Sequence, residues 1–262
     1  MSRRVQWLRS GARSLRWALA ALACAACARP AERELARGNE AAAAGRLDEA
    51  RAAYEAAAGL DPSSARAQAL VGNARWSSGD RAGAAQAWQA ARALEPRHPL
   101  ATRGLALAAL EAHDAGAALE ELGQLEGPPG PEVRLLRARS LLARGAPGDA
   151  EQALADAEAA AAANPGAAEP GYLVGSAQVA LRRFADAQTT FEQLQKAQAK
   201  SPLGAYGLAR LAAAQSRSTD TLLYLKQARA VAGPAWSPDL VGSDPAFTFL
   251  AESPDFRELL GR

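Results

Sequence analysis

Two cysteines, two histidines and one methionine are spread over 262 residues, and only 5% of the chain is aromatic. That scarcity excludes a cysteine-rich zinc site and a disulfide framework. It also argues against a thick core of large side chains. Half the chain is hydrophobic, but most of that is alanine, which buries little area per residue. Glycine and proline number 22 and 15, too few and too regularly placed for a disordered tract. A strong excess of either charge is missing as well, since 30 Lys and Arg stand against 28 Asp and Glu. Residues 1–27 hold five arginines and no acid. The slightly basic balance is therefore a property of that segment, and the rest implies no basic face for nucleic acid. What is abundant is alanine, the best helix former, which points to close-packed helices in thin layers.

The first residues read as an address. Arg3, Arg4, Arg9, Arg13 and Arg16 precede an uncharged, mostly apolar run from Trp17 to Ala28. That run is shorter than the roughly 20 residues a stable membrane span needs. Its order of charged, apolar, then small residues is that of a secretory leader, the alternative being a buried N-terminal helix. Both cysteines, Cys24 and Cys27, stand at its end. The placement resembles the lipobox of bacterial lipoproteins, in which a cysteine after small residues is diacylated and becomes the new N-terminus. Cys27 follows Cys24, Ala25 and Ala26, with cysteine where the lipobox carries leucine. Cys24 follows Ala21, Leu22 and Ala23 but leaves a shorter apolar run. Cys27 is the expected lipidation site and Cys24 the alternative. Plain cleavage at an Ala-x-Ala site would instead leave a soluble periplasmic chain. Ser2-Arg3-Arg4 hints at twin-arginine export, although Gln6 stands where that signal carries an apolar residue.

Beyond the leader a 34-residue period emerges. Segments 31–64 and 65–98 align without a gap. Gly38 matches Gly72, Asn39 Asn73, Gly45 Gly79, Ala50 Ala84, Tyr54 Trp88, Ala57 Ala91 and Pro62 Pro96. These spacings resemble the tetratricopeptide repeat (TPR) family, which carries a small residue at position 8, a turn near 15, alanine at 20 and 27, an aromatic at 24 and proline at 32. The small residues let two antiparallel helices approach closely. The aromatic fills the space between repeats, and the proline ends the second helix. Gly45 and Gly79 are expected at left-handed helix ends, with Asp48 and Asp80 near the following helix starts.

Segments 99–130, 131–167, 168–201 and 202–234 follow the pattern more loosely, giving about six repeats over 31–234. Leu122, Leu154 and Leu225 replace the aromatic, and Thr221 replaces an alanine. Residues 235–262 leave the period and are rich in aromatics. Asp244-Pro245 and Ser253-Pro254 read as N-caps followed by proline, so two short helices are expected, presenting Phe247, Phe249, Leu250, Phe256, Leu259 and Leu260. The expected role is a cap on the last helix pair, with a docking peptide as the alternative.

The expected architecture is all-α, a right-handed superhelical solenoid of helix-turn-helix repeats with a C-terminal capping segment. No catalytic constellation, phosphate loop or cofactor site is legible; His98 and His113 read as exposed and inert. Paired acids such as Asp48–Glu49 and Glu120–Glu121 read as solvated helix faces. The resemblance implies that first helices line a concave groove for a protein partner. In this sequence the lining positions give Leu35, Asn39, Ala69, Asn73, Trp76, Arg103, Arg139, Tyr172, Ser176, Tyr206 and Arg210. Asparagine can bond a peptide backbone, and Tyr, Trp and Arg serve as interface anchors. The family's carboxylate clamp for chaperone tails is absent, because Leu35, Leu70, Leu100 and Gly104 occupy clamp positions.

The sequence therefore implies a non-enzymatic scaffold in a bacterial envelope, lipid-anchored and facing the periplasm. Ala28 after Cys27 favours the outer membrane by resemblance to lipoprotein sorting. No nucleic acid, metal or small-molecule substrate is implied. The competing expectation is a non-catalytic repeat subunit of an envelope glycosyltransferase or protease.

Overall fold

A computed structural model describes residues 30–261. Residues 1–29, which hold the expected leader with Cys24 and Cys27, lie outside the described residues. Among these the structure is all-helical, with no strand. Helix α1 spans residues 30–43. It is followed by α2 (Leu47–Leu60), α3 (Ala65–Ser77), α4 (Arg81–Leu94), α5 (Pro99–Glu111), α6 (Ala115–Gly123), α7 (Pro131–Arg144), α8 (Asp149–Ala163), α9 (Ala168–Ala180), α10 (Phe184–Ala197), α11 (Leu203–Ala214) and α12 (Ser218–Ala232). A 3₁₀ turn (Gly233–Ala235), α13 (Pro238–Ser243), a 3₁₀ stretch (Pro245–Leu250) and α14 (Pro254–Leu259) end the chain.

The helix boundaries follow from local chemistry. Gly45, Gly79 and Gly145 hold φ of +73°, +86° and +64° where first helices end, the left-handed geometry expected of them. Asp80 caps α4 by accepting from the Gly83 N–H at 2.9 Å, and Asp114 does the same for Ala117 at 2.9 Å. Asp48 instead sits inside the first turn of α2, whose N-cap is Arg46. His98, read as exposed, is buried: its Nδ1 accepts from the Ala101 N–H at 3.4 Å and caps α5, directly before Pro99. A turn residue can be drawn under cover by the next repeat, and its position in the sequence does not reveal this.

The described chain forms two compact units. One comprises the residues up to Ala112 with Glu120–Leu125; the other comprises His113–Leu119 and Glu126 onward. In the first unit, α3 packs against both α2 and α4, and α5 packs against α3 and α4. Trp88, 1% exposed, occupies a slot made by two glycines. A Cβ added at Gly72 would lie 2.4 Å from its Cδ1, and one at Gly104 would lie 2.2 Å from its Cε2. Neither position could carry any other residue without moving the ring.

The second unit repeats the device. Phe191, 0% exposed, lies between Gly175 and Gly207, where added Cβ atoms would come within 2.4 and 2.2 Å of the ring. The pairs α7–α8, α9–α10 and α11–α12 pack tightly, and α8–α9 and α10–α11 join them. Ala138, Ala153, Ala157 and Ala177 are fully buried along these seams, so alanine here acts as a spacer that brings backbones together. Where the aromatic is missing, Leu154 and Leu225 fill the same buried position. The alternation of charges also has a structural use. Asp156, 3% exposed, accepts from Arg134 at 3.1 Å and from Arg137 at 2.5 and 2.6 Å, joining α7 to α8.

Candidate functional site

The expected lining residues divide between the two units. In the first, Asn39 and Asn73 have an internal duty. The Tyr54 hydroxyl donates to Asn39 Oδ1 at 2.9 Å, and the Trp88 indole N–H donates to Asn73 Oδ1 at 3.0 Å. Each asparagine thus ties the first helix of its repeat to the aromatic of the second through one of the two acceptor positions of its side-chain oxygen. Burial raises the Tyr54 hydroxyl above its ordinary pKa. Trp76 packs against Trp88 with ring centroids 5.4 Å apart and planes tilted by 42°, and the Arg81 guanidinium sits 4.0 Å over the Trp76 ring. Arg103 is half-buried on α5. Leu35 and Ala69 face inward and are buried, so they line no surface.

In the second unit the structure brings Arg139, Tyr172 and Tyr206 around one cleft of about 470 Å³. Helix α7 supplies Arg139, α9 supplies Glu169, Tyr172 and Leu173, and α11 supplies Leu203 and Tyr206. The end of α12 and the start of the C-terminal segment close the other side with Ala228, Ala232, Trp236, Leu240 and Val241. Tyr172 and Tyr206 lie 6.2 Å apart, ring centroid to centroid, and Tyr172 also approaches Phe191 at 6.1 Å. The wall is mainly apolar, and the two charges on it, Arg139 and Glu169, face each other at 3.6 Å. Leu240 is 67% exposed, the most open of the large hydrophobic residues described.

Arg210, although half-buried beside this cleft, is engaged by the chain itself. Asp244, buried at the N-cap of the last 3₁₀ stretch, accepts from the Tyr206 hydroxyl at 2.6 Å and from Arg210 at 3.2 Å. Its other oxygen accepts from the Ala246 N–H at 2.9 Å. Burial first, and the Asp244 hydrogen bond second, push the Tyr206 hydroxyl well above its ordinary pKa. The Arg210 guanidinium is held above its usual range by the nearby Tyr172, Asp244 and Tyr206, against the opposing effect of burial.

The C-terminal segment packs onto α11 and α12. Phe247, Leu250, Phe256, Leu259 and Leu260 join Ala209, Ala213 and Leu225 in one buried cluster. It holds three short elements after the 3₁₀ turn at Gly233–Ala235, one more than expected. Ser237-Pro238 starts the additional helix, α13, with Ser237 accepting from the Leu240 N–H at 3.3 Å. Phe249, expected to pack with its neighbours, is 46% exposed, because a 3₁₀ stretch turns it outward.

The family profile described as "Tetratricopeptide repeat" matches residues 35–79, 71–131 and 172–235, more than half of the sequence. The chain belongs to the tetratricopeptide repeat family. Such domains are typically non-catalytic and bind protein partners. No match is found among curated protein sequences.

Among solved structures, this TPR chain is similar to the APC/C hetero-tetramer Cut9-Hcn1, with TM-score 0.66 and 16% identity over 89% of the chain. It spans only 42% of that relative's length. It is also similar to PilW, described as a widely conserved type IV pilus biogenesis factor, with TM-score 0.62 and 14% identity over 81% of this chain and 97% of PilW. Similarity to pilF of Pseudomonas aeruginosa reaches TM-score 0.59 and 16% identity over 80% of this chain and 95% of that one. At these identities the likeness is one of fold.

Sequence reasoning missed Leu240 of this TPR chain altogether. It placed Asp244 in the C-terminal segment, yet not beside Tyr206 and Arg210. The DP and SP dipeptides showed where short helices begin, but a contact across 38 residues leaves no periodic trace. Among the described residues no cluster of three or more His, Cys, Asp or Glu could hold a metal, and no helix is long and apolar enough to cross a membrane.

Proposed function

We propose that this TPR chain is a non-enzymatic scaffold of a bacterial envelope, lipid-anchored through Cys27 to the outer membrane. There it recruits a protein partner into a complex such as pilus, secretion or surface-polymer machinery. The observation that carries the binding part is the cleft of the second unit. Tyr172, Tyr206, Trp236 and Leu240 surround an open space, and large aromatic side chains around such a space are what protein segments bind to. The C-terminal segment acts as the cap of the last helix pair and at the same time builds one wall of the cleft. Its buried cluster with α11 and α12 supports that reading. The fold shared with PilW and pilF supports an envelope assembly role. The arginine-rich leader and the placement of Cys24 and Cys27 support the anchor, since two acyl chains hold a protein to a membrane far more firmly than one.

Two measurements in cells test this. Mass spectrometry of the mature N-terminus is expected to show a diacylated Cys27, and Cys27→Ala is expected to release the chain from the membrane fraction. A photocrosslinker placed at Leu240 is expected to capture a partner chain, and Arg139→Glu with Tyr172→Ala is expected to abolish the capture. Tyr206 is left intact because its loss would disturb Asp244. A membrane-bound Cys27→Ala chain, or capture unaffected by the double variant, would overturn the respective half of the reading.

A further inference from the structure

The cleft of the second unit has walls of unequal firmness. Helices α7, α9 and α11 supply one side from packed pairs, while Trp236, Ser237, Leu240 and Val241 on the other side belong to the short segment after α12. Of the six residues of α13 only Val241 is buried, and Leu240 stands 67% exposed although it lines the cleft. A helix of six residues closes little more than one turn, so its own backbone bonds hold it weakly.

The two ends of this segment differ. Where α12 stops, Gly233 holds φ +54° and ψ −125°, a conformation open to glycine and costly for any other residue. Gly233, Pro234 and Ala235 are all exposed, and a second exposed glycine, Gly242, follows Val241. Directly beyond it the chain is fixed. Asp244 accepts from Tyr206, Arg210 and the Ala246 N–H, and Phe247 is 1% exposed. Residues 234–243 are thus a strap between a glycine hinge and a buried anchor. The strap also carries an unmet donor: the Trp236 indole N–H is buried and has no acceptor in the protein. A position that leaves a buried donor unpaired is disfavoured against any that hydrates or pairs it, so the strap has a physical reason to leave this one.

We propose that residues 234–243 form a lid that swings over the cleft while the rest of the C-terminal segment stays docked, with Leu240 as the residue that closes on Tyr172 and Leu203. The lid rests on the reading of this cleft as the partner's site. In the structure it stands open, with Leu240 in water. Closure gains by burying that side chain, and an occupant adds apolar surface for it to cover.

The test is fluorine NMR on the full chain labelled with 5-fluorotryptophan, with no partner present. Trp236→Phe identifies the Trp236 resonance. That resonance is expected to show relaxation dispersion on the microsecond-to-millisecond scale from a closed state populated at about 1–10%, and the Trp88 resonance none. Leu240→Ser alters an exposed residue, and circular dichroism confirms its fold. It is expected to lower the closed population about tenfold or more and so remove the dispersion. A Trp236 resonance without dispersion in the wild type, or dispersion unchanged in Leu240→Ser, would overturn the proposal. The same exchange at Phe247 and Phe256, read with 4-fluorophenylalanine, would also overturn it, because the whole cap would then be moving. Because no partner enters this measurement, its failure leaves the crosslinking result of the proposed function standing, and the two readings fail separately.

Discussion

Replacing Gly207 by alanine should destabilise the second unit, although alanine is the better helix former. The new Cβ would stand 2.2 Å from Phe191 Cδ1 and 2.3 Å from Cε1, where carbon atoms normally rest about 3.5–4.0 Å apart. The ring has no room to retreat, because Gly175 holds its opposite side at a distance where an added Cβ would lie 2.4 Å away. Overpacking of this kind costs about 1–3 kcal/mol, and the better helix propensity of alanine returns about 1 kcal/mol. A severe clash belongs at the upper end, so the expected net loss is about 2 kcal/mol. Thermal unfolding followed by circular dichroism should then show a fall of roughly 4–8 °C. Gly59 is the control. It is exposed on α2 and nothing lies within 4 Å of an added Cβ, so Gly59→Ala should be neutral or raise stability by up to about 1 kcal/mol. Phe191→Leu combined with Gly207→Ala should cost less than the two single changes added together, since the smaller side chain vacates the slot. A Gly207→Ala protein as stable as the Gly59→Ala control, or strictly additive costs in the double variant, would refute the glycine-slot argument.

Three further outcomes follow from named residues. Arg182 and Ser216 hold φ of +58° at first-helix ends where other repeats use glycine, so Arg182→Gly and Ser216→Gly should each add about 0.5–1 kcal/mol in chemical denaturation. Asp244→Ala removes a helix cap and the acceptor shared by Tyr206 and Arg210. It should cost about 1–2 kcal/mol and expose residues 236–261 to limited proteolysis before the rest of the second unit. Because the folded-state pKa of Tyr206 is raised, the stability linked to its hydroxyl is fully present below the unfolded value of about 10 and is lost as pH rises beyond it. Wild-type melting temperatures measured between about pH 9 and 11.5 should therefore fall more steeply than those of Tyr206→Phe, and equal slopes would contradict the burial of that hydroxyl.

Much of the fold could be read in advance because repeats place equivalent contacts at a fixed spacing. Gly38, Gly72, Ala106, Ala138, Gly175 and Ala209 are all buried, as a small residue between two helices must be. Tyr54, Trp88, Leu122, Leu154, Phe191 and Leu225 are buried at the position of the inter-repeat aromatic. Gly104 and Gly207 were less legible. Each completes a slot for an aromatic of the preceding repeat, so its meaning depends on a neighbour that only some repeats possess. The candidate site was only partly legible. Arg139, Tyr172 and Tyr206 do share one cleft, while Asn39 and Asn73 turn their carbonyls inward to an aromatic of their own repeat.

The sequence by itself determined what is local and periodic. Alanine and glycine spacing set the helix pairs, left-handed glycines and aspartate caps set their ends, and the scarcity of cysteine and histidine limited the chemistry. Only the tertiary structure decided which polar groups remain available. Asp244 turns back onto Tyr206 and Arg210, and the segment after α12 lays Trp236 and Leu240 beside Tyr172. The physical reason is that helix formation depends on neighbours within about four residues, whereas the walls of a cleft come from segments that meet only when the chain folds back on itself.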